Sequence, residues 1–247
     1  NSATTDYDSS DEDAPAIGRP GAQLSDTQDI DPPQPSLLKE VVDTNQDETA
    51  GTDVSVGEEI TYRFTIEVPQ GTSDISLTDI LPTGLIYVSS EIVDIDADIT
   101  TTGLGEGDEG VNTGTSTVFD FGEVVSAATT ASGDDQIIVE LTARVADIAG
   151  NVDTTQLIKD ATLTFENGTA EDDATVAVVE PLLTFDKSGA PLAGDAGDET
   201  TYTLTIQHDA NSTAPAYDVL ILDDMAAGLL DISVGTVVAQ IDGVDIP

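Results

Sequence analysis

Asp43, Asn45, Asp47 and Glu48, followed by Asp53, place oxygen ligands at near-alternate positions along one loop. Hard cations take several converging carboxylate and carbonyl oxygens, and this spacing lets a loop wrap one ion. Calcium is the expected cofactor there, against the plainer expectation of a solvated loop. The glycine and closing glutamate of an EF-hand are missing. Asp94, Asp96 and Asp98 repeat the spacing more weakly, because Ile95 and Ile99 mark a strand edge.

A second constellation joins amines to a carboxylate. Lys39 shares parity with Leu37 and Val41, Asp79 with Ile75 and Leu77, and Lys159 with Ala161, so all three are expected to face a core. Burial lowers an amine's pKa and raises a carboxyl's. An internal ion pair of Asp79 with Lys39 or Lys159 is the expected arrangement. Asn167-Gly168-Thr169 and Asn211-Ser212-Thr213 are glycosylation sequons in turn-like segments, a short and unspecific pattern. The chain has no cysteine and a single histidine, His208. Thiol chemistry, Ser-His-Asp catalysis and multi-histidine metal centres are thereby disfavoured.

The 247 residues carry 49 Asp+Glu against 6 Lys+Arg, a formal charge of -43. Nucleic acid is therefore not an expected partner, since phosphate binding needs clustered cations. No stretch approaches the roughly 20 apolar residues of a membrane span, so no direct membrane insertion is expected in this segment. Such acidity fits a halophilic or marine secreted protein, whose self-repulsion salt would screen.

The elements that must position these groups are strands. Ile60, Tyr62, Phe64, Ile66 and Val68 alternate with polar residues, as do Ile137, Val139, Leu141, Ala143 and Val145. Short alternating strands between Gly-, Asp- and Asn-rich turns, with no helical period, predict an all-β sandwich. The chain also repeats itself. GEEITYRFTIEV (57–68) parallels GDETTYTLTIQH (197–208), and Asp79, Gly84 and Leu85 align with Asp223, Gly228 and Leu229. Upstream, Lys39 aligns with Lys187. Three segments follow: an acidic extended or disordered leader (1–34), a first sandwich (35–180), and the first part of a second (181–247) that is incomplete in this chain.

In this order the motifs resemble the conserved repeats of bacterial and archaeal surface proteins called domain of unknown function 11. Those repeats are similar to the isopeptide-forming domains of pilins. The lysine after a short strand is Lys39, the Gly-acid-to-Tyr strand runs from Gly57-Glu58 to Tyr62, and Asp79-Ile80-Leu81-Pro82-Thr83-Gly84-Leu85 is the third motif. The second copy carries Ala226 in place of the proline. The resemblance implies tandem Ig-like β-sandwich domains in a secreted fibre, stalk, adhesin or surface layer. It also implies a possible lysine–Asn/Asp crosslink, but Lys159 stands where the family's late-strand Asn would be, and Asp160 has outward parity. The function expected is a non-enzymatic structural repeat protein, extracellular or at the cell surface. Its expected partners are neighbouring subunits or further copies, joined by strand addition. The alternative is a calcium-dependent adhesin module binding glycans or a host surface.

Overall fold

The computed structural model describes residues 2–7, 22–27, 33–47, 49, 51–127, 135–195, 197–216, 219–224, 239–241 and 244–246. Every regular element among them is a strand. In chain order they are β1 (Ser2–Tyr7), β2 (Ala22–Thr27), β3 (Ser36–Thr44), β4 (Asp53–Val54), β5 (Glu59–Glu67), β6 (Gly71–Ile80), β7 (Leu85–Ile95), β8 (Ile99–Thr101), β9 (Val111–Asn112), β10 (Ser116–Ser126), β11 (Gln136–Val145), β12 (Gln156–Phe165), β13 (Gly168–Val178), β14 (Leu183–Ala190), β15 (Thr201–His208), β16 (Ala239–Ile241) and β17 (Val244–Ile246). The chain falls into two units, residues 1–215 and 216–247. In the second, β16 and β17 pair as an antiparallel ribbon. In the first, the leader's β1 and β2 pair antiparallel, Ser2 opposite Thr27.

Two sheets form a sandwich. One has the order β3-β5-β11-β7; the other runs β4-β13-β12-β6-β10-β8, with β9 on β10. Pairing is antiparallel except between β4 and β13. Chain neighbours β5, β6 and β7 switch between sheets, and so do β10, β11 and β12, as in immunoglobulin-like sandwiches. The all-β expectation is therefore met.

The alternation read from the sequence becomes the core. Ile60, Tyr62, Phe64 and Ile66 of β5 and Ile137, Val139, Leu141 and Ala143 of β11 are fully buried. Opposite them lie Leu77 of β6, Phe119 and Phe121 of β10, Leu163 of β12 and Val176 of β13. Burying such side chains contributes about 1.5–3 kcal/mol each and is the main driving force for this chain, which has no disulfide. In β10 a bulge between Asp120 and Gly122 shifts the register, so inward positions change from Phe119 and Phe121 to Val124 and Ser126. Gly122 takes φ +61° there, a left-handed conformation natural to glycine.

The duplication is visible as geometry. In β3–β5, Leu37, Lys39 and Val41 sit opposite Ile66, Phe64 and Tyr62. In β14–β15, Phe185, Lys187 and Gly189 sit opposite Ile206, Leu204 and Tyr202, the same register. The turns before β5 and β15 also match. Glu58 N–H donates to the Ser55 carbonyl at 3.1 Å, and Asp198 N–H to that of Asp195 at 3.1 Å. Each acid turns its side chain back onto the turn: Glu58 Oε2 accepts from Ser55 N–H (2.7 Å), and Asp198 Oδ2 from Asp195 N–H (2.6 Å). The intervening glycines, Gly57 and Gly197, have φ +89° and +100°.

Candidate functional site: a buried Lys–Asp–Lys cluster

Lys39 from β3, Asp79 from β6 and Lys159 from β12 converge between the sheets. Inward parity delivers Lys39 and Lys159. Asp79 follows, because its register partner on β12 is the inward Ala161. All three side chains are fully shielded from solvent. Lys39 Nζ donates to Asp79 Oδ1 at 2.9 Å and to the Lys159 carbonyl. Lys159 Nζ donates to Asp79 Oδ2. One carboxylate thus serves two amines. Asp79 pairs with both Lys39 and Lys159.

Aromatic rings floor the cluster. Lys39 Nζ lies 5.6 Å from the Tyr62 ring centre and 5.3 Å from that of Phe64; Lys159 Nζ lies at 4.8 and 5.3 Å. Their negative faces favour a cation at that range. Burial nevertheless dominates. It pushes the Lys39 pKa down, against the Asp79 charge that favours the ammonium. It pushes Lys159 down to about 7, with the Lys39 charge adding to the fall and Asp79 opposing it. The Tyr62 phenol is raised by burial and by the neighbouring Asp79 charge. At the rim, Asp172 Oδ2 of β13 accepts the backbone N–H of Lys39 at 2.7 Å.

Other predicted residues lie elsewhere. Asp43 lies within β3, paired with Thr61, and Asp53 opens β4, paired with Ala177; Asn45 and Asp47 lie between these strands, and Glu48 lies outside the described residues. Asn45 Oδ1 is committed to the Glu59 N–H at 2.8 Å. Among the described residues no group of three or more Asp, Glu or His is placed to hold a metal ion. Asn167 sits in the exposed β12–β13 turn. Asn211 sits in an exposed turn after β15, its N–H on Asp209 Oδ1 at 2.9 Å. His208 is exposed, and its Nδ1 lies 3.0 Å from Ser212 Oγ.

Two structural polar residues escape a sequence reading. Glu58 is fully buried, accepting also from Ser55 Oγ (3.2 Å) and Thr49 Oγ1 (2.8 Å). Its only signal is the glycine-acid motif. Asn151, nearly buried, donates from Nδ2 to the carbonyls of Gly84 (2.9 Å) and Ala146 (2.8 Å). Gly84 has φ +113°, and a Cβ there would stand 2.5 Å from Asn151 Oδ1, which explains the glycine of the third motif.

No protein-family model matches the chain, and no curated protein matches it. The resemblance to the surface-protein repeats therefore rests on the motifs. Solved structures give partial likenesses. The N-terminal domain of a Streptococcus gordonii adhesin is 14% identical over 59% of this chain and 32% of its own, with TM-score 0.37. A C-terminal fragment of the Streptococcus agalactiae major pilin is 12% identical over 62% and 58%, TM-score 0.38. The Bacillus cereus major pilin subunit is 12% identical over 71% and 56%, TM-score 0.39. The chain spans between a third and three-fifths of these proteins. Strands β3 to β13 form an all-β sandwich closed over a Lys39–Asp79–Lys159 cluster.

Proposed function

We propose that the chain is a non-enzymatic structural segment of a cell-surface or secreted fibre, stalk or layer, associating with neighbouring subunits. One observation carries the reading: the duplicated motif residues are spent on framework. Gly57 and Glu58 shape a turn, Gly84 meets Asn151, and Lys39 and Asp79 fill a sealed interior. A cavity of about 390 Å3, lined by Ser90, Glu91, Glu109, Glu140 and Thr142 among others, is open; its Ser90 hydroxyl is engaged by Tyr87 and Gly110, and its Thr142 hydroxyl by Thr61. Immunogold electron microscopy of the native cells, using antibody against this chain, tests the proposal. Label on the surface or on shed filaments is expected; label confined to the cytoplasm would overturn it.

In this reading the cluster is a non-covalent clamp between the sheets. Intact mass spectrometry of the purified chain is expected to give the full sequence mass. A mass lower by one water would instead reveal an amide between a lysine and Asp79.

A further inference from the structure

We propose that the Lys39–Asp79–Lys159 cluster is a pH-sensing clamp, in which Lys39 and Asp79 form the ion pair, Lys159 is held as a neutral amine, and acidification loosens the β3 seam by protonating Lys159. The cluster has one carboxylate for two amines, all fully shielded. Two ammonium groups would leave a net positive charge in a medium that penalises it heavily. The hydrogen bonds say which amine gives way. Lys39 Nζ has two acceptors, Asp79 Oδ1 and the Lys159 carbonyl. Lys159 Nζ has Asp79 Oδ2 alone among the described residues. An ammonium needs three acceptors and an amine fewer, so Lys159 loses less by giving up its proton.

The surrounding charges agree. β3 presents Lys39, β5 presents Tyr62, and β6 presents Asp79. The nearby carboxylates are Asp160, next to Lys159 on β12, and Asp172 and Asp173 on β13. The inward residues of β10 and β11, such as Phe119 and Leu141, carry no charge. Asp160 and Asp173 favour the ammonium of Lys39, whereas Lys39 itself disfavours that of Lys159. The fall of the Lys159 pKa to about 7 points the same way.

The direction of the pH effect follows from proton counts. Below about pH 7 the folded and unfolded chains both hold the Lys159 proton, and the fold carries the full penalty of that buried charge. Between 7 and the unfolded value of 10.5 the unfolded chain holds a proton that the fold lacks, so stability rises with pH. The unfolding constant falls by roughly tenfold per pH unit in this window for one proton. β3 is the seam that yields, since it contributes Lys39 and ends the four-stranded sheet.

The chain has three lysines, Lys39, Lys159 and Lys187, so 13C-lysine labelling gives three resolvable Cε signals. Lys187→Arg and Lys39→Arg assign them. The expected result is a Lys159 signal with its titration midpoint near 7 and a Lys39 signal that titrates at higher pH than Lys159. A Lys159 midpoint of 10 or more, or Lys39 titrating first, would overturn the proposal. Hydrogen exchange gives a second readout on the unmutated chain. After correction for intrinsic rates, amides of β3 should lose protection at pH 6 relative to pH 8.5, while those of β10 keep theirs. Equal protection of β3 at both values contradicts the clamp. Lys159→Met, where it folds, should remove the wild-type rise in stability between pH 7.5 and 9.5; an unchanged rise also counts against it.

Discussion

Asp79→Ala is expected to lose about 3–5 kcal/mol, the usual result of removing one partner of a buried charged cluster. Among the described residues, this carboxylate is the sole anion touching both Nζ atoms. Without it, Lys39 must either leave its ammonium unpaired between Tyr62 and Phe64 or give up its own proton, leaving both amines neutral. For a chain of this size such a loss lowers Tm by roughly 6–20 °C, at 2–4 °C per kcal/mol. Guanidinium titration of both proteins checks it. The triple variant Lys39→Met, Asp79→Leu, Lys159→Met should recover most of the deficit, because apolar replacement of a whole buried ion cluster is often neutral or stabilising. A change below about 1 kcal/mol in Asp79→Ala would mean that the cluster does not hold the sheets together.

Monovalent salt is expected to stabilise the chain strongly. The formal charge is -43, and like charges face one another directly across strands. Asp160 is opposite Asp173 on β12–β13, and Glu91 is opposite Glu140 on β7–β11. Only Glu140 has a cation, with Arg63 Nη2 at 2.6 Å, among the described pairs. Like charges so placed repel. Raising salt from 0.1 to 1 M shortens the screening length from about 10 to 3 Å, less than the spacing of such pairs. A Tm increase of at least about 10 °C is expected, equivalent to roughly 3–4 kcal/mol of relieved repulsion. A flat or falling Tm would remove the case for a salt-adapted protein. The same series with added calcium, and with chelator at constant ionic strength, tests the loop of Asp43, Asn45, Asp47, Glu48 and Asp53. A shift specific to calcium is the expected sign of a site there, and no shift leaves a solvated loop.

Much of this architecture was legible in the alternation of β5 and β11, where every odd or even position kept its face from end to end. Parity also placed Lys39, Asp79 and Lys159 inward, but it did not show that one carboxylate bridges both amines, which depends on register across three strands. β7 was less readable. Bulges at Ile138/Val139 and Thr142/Ala143 shift its pairing, so Leu85, Ser90 and Ile92 are buried although they do not share one parity. β13 was hidden by Glu171-Asp172-Asp173, an acidic run whose sequence looks like solvated loop but which pairs with Thr162, Ala161 and Asp160 of β12. Glu58 and Asn151 were invisible because their burial comes from turns closing over them, Asn151 reaching Gly84 across 67 residues.

The bond from the Lys39 N–H to Asp172 has a consequence for crowding. An outermost strand normally offers its amides to any passing peptide, and a row of them invites fusion with a neighbour. Here an acid from the facing layer already occupies the amide at the middle of β3, and it repels whatever acidic copy approaches. Copies of this chain brought side by side at high concentration are thereby hindered from pairing along this margin.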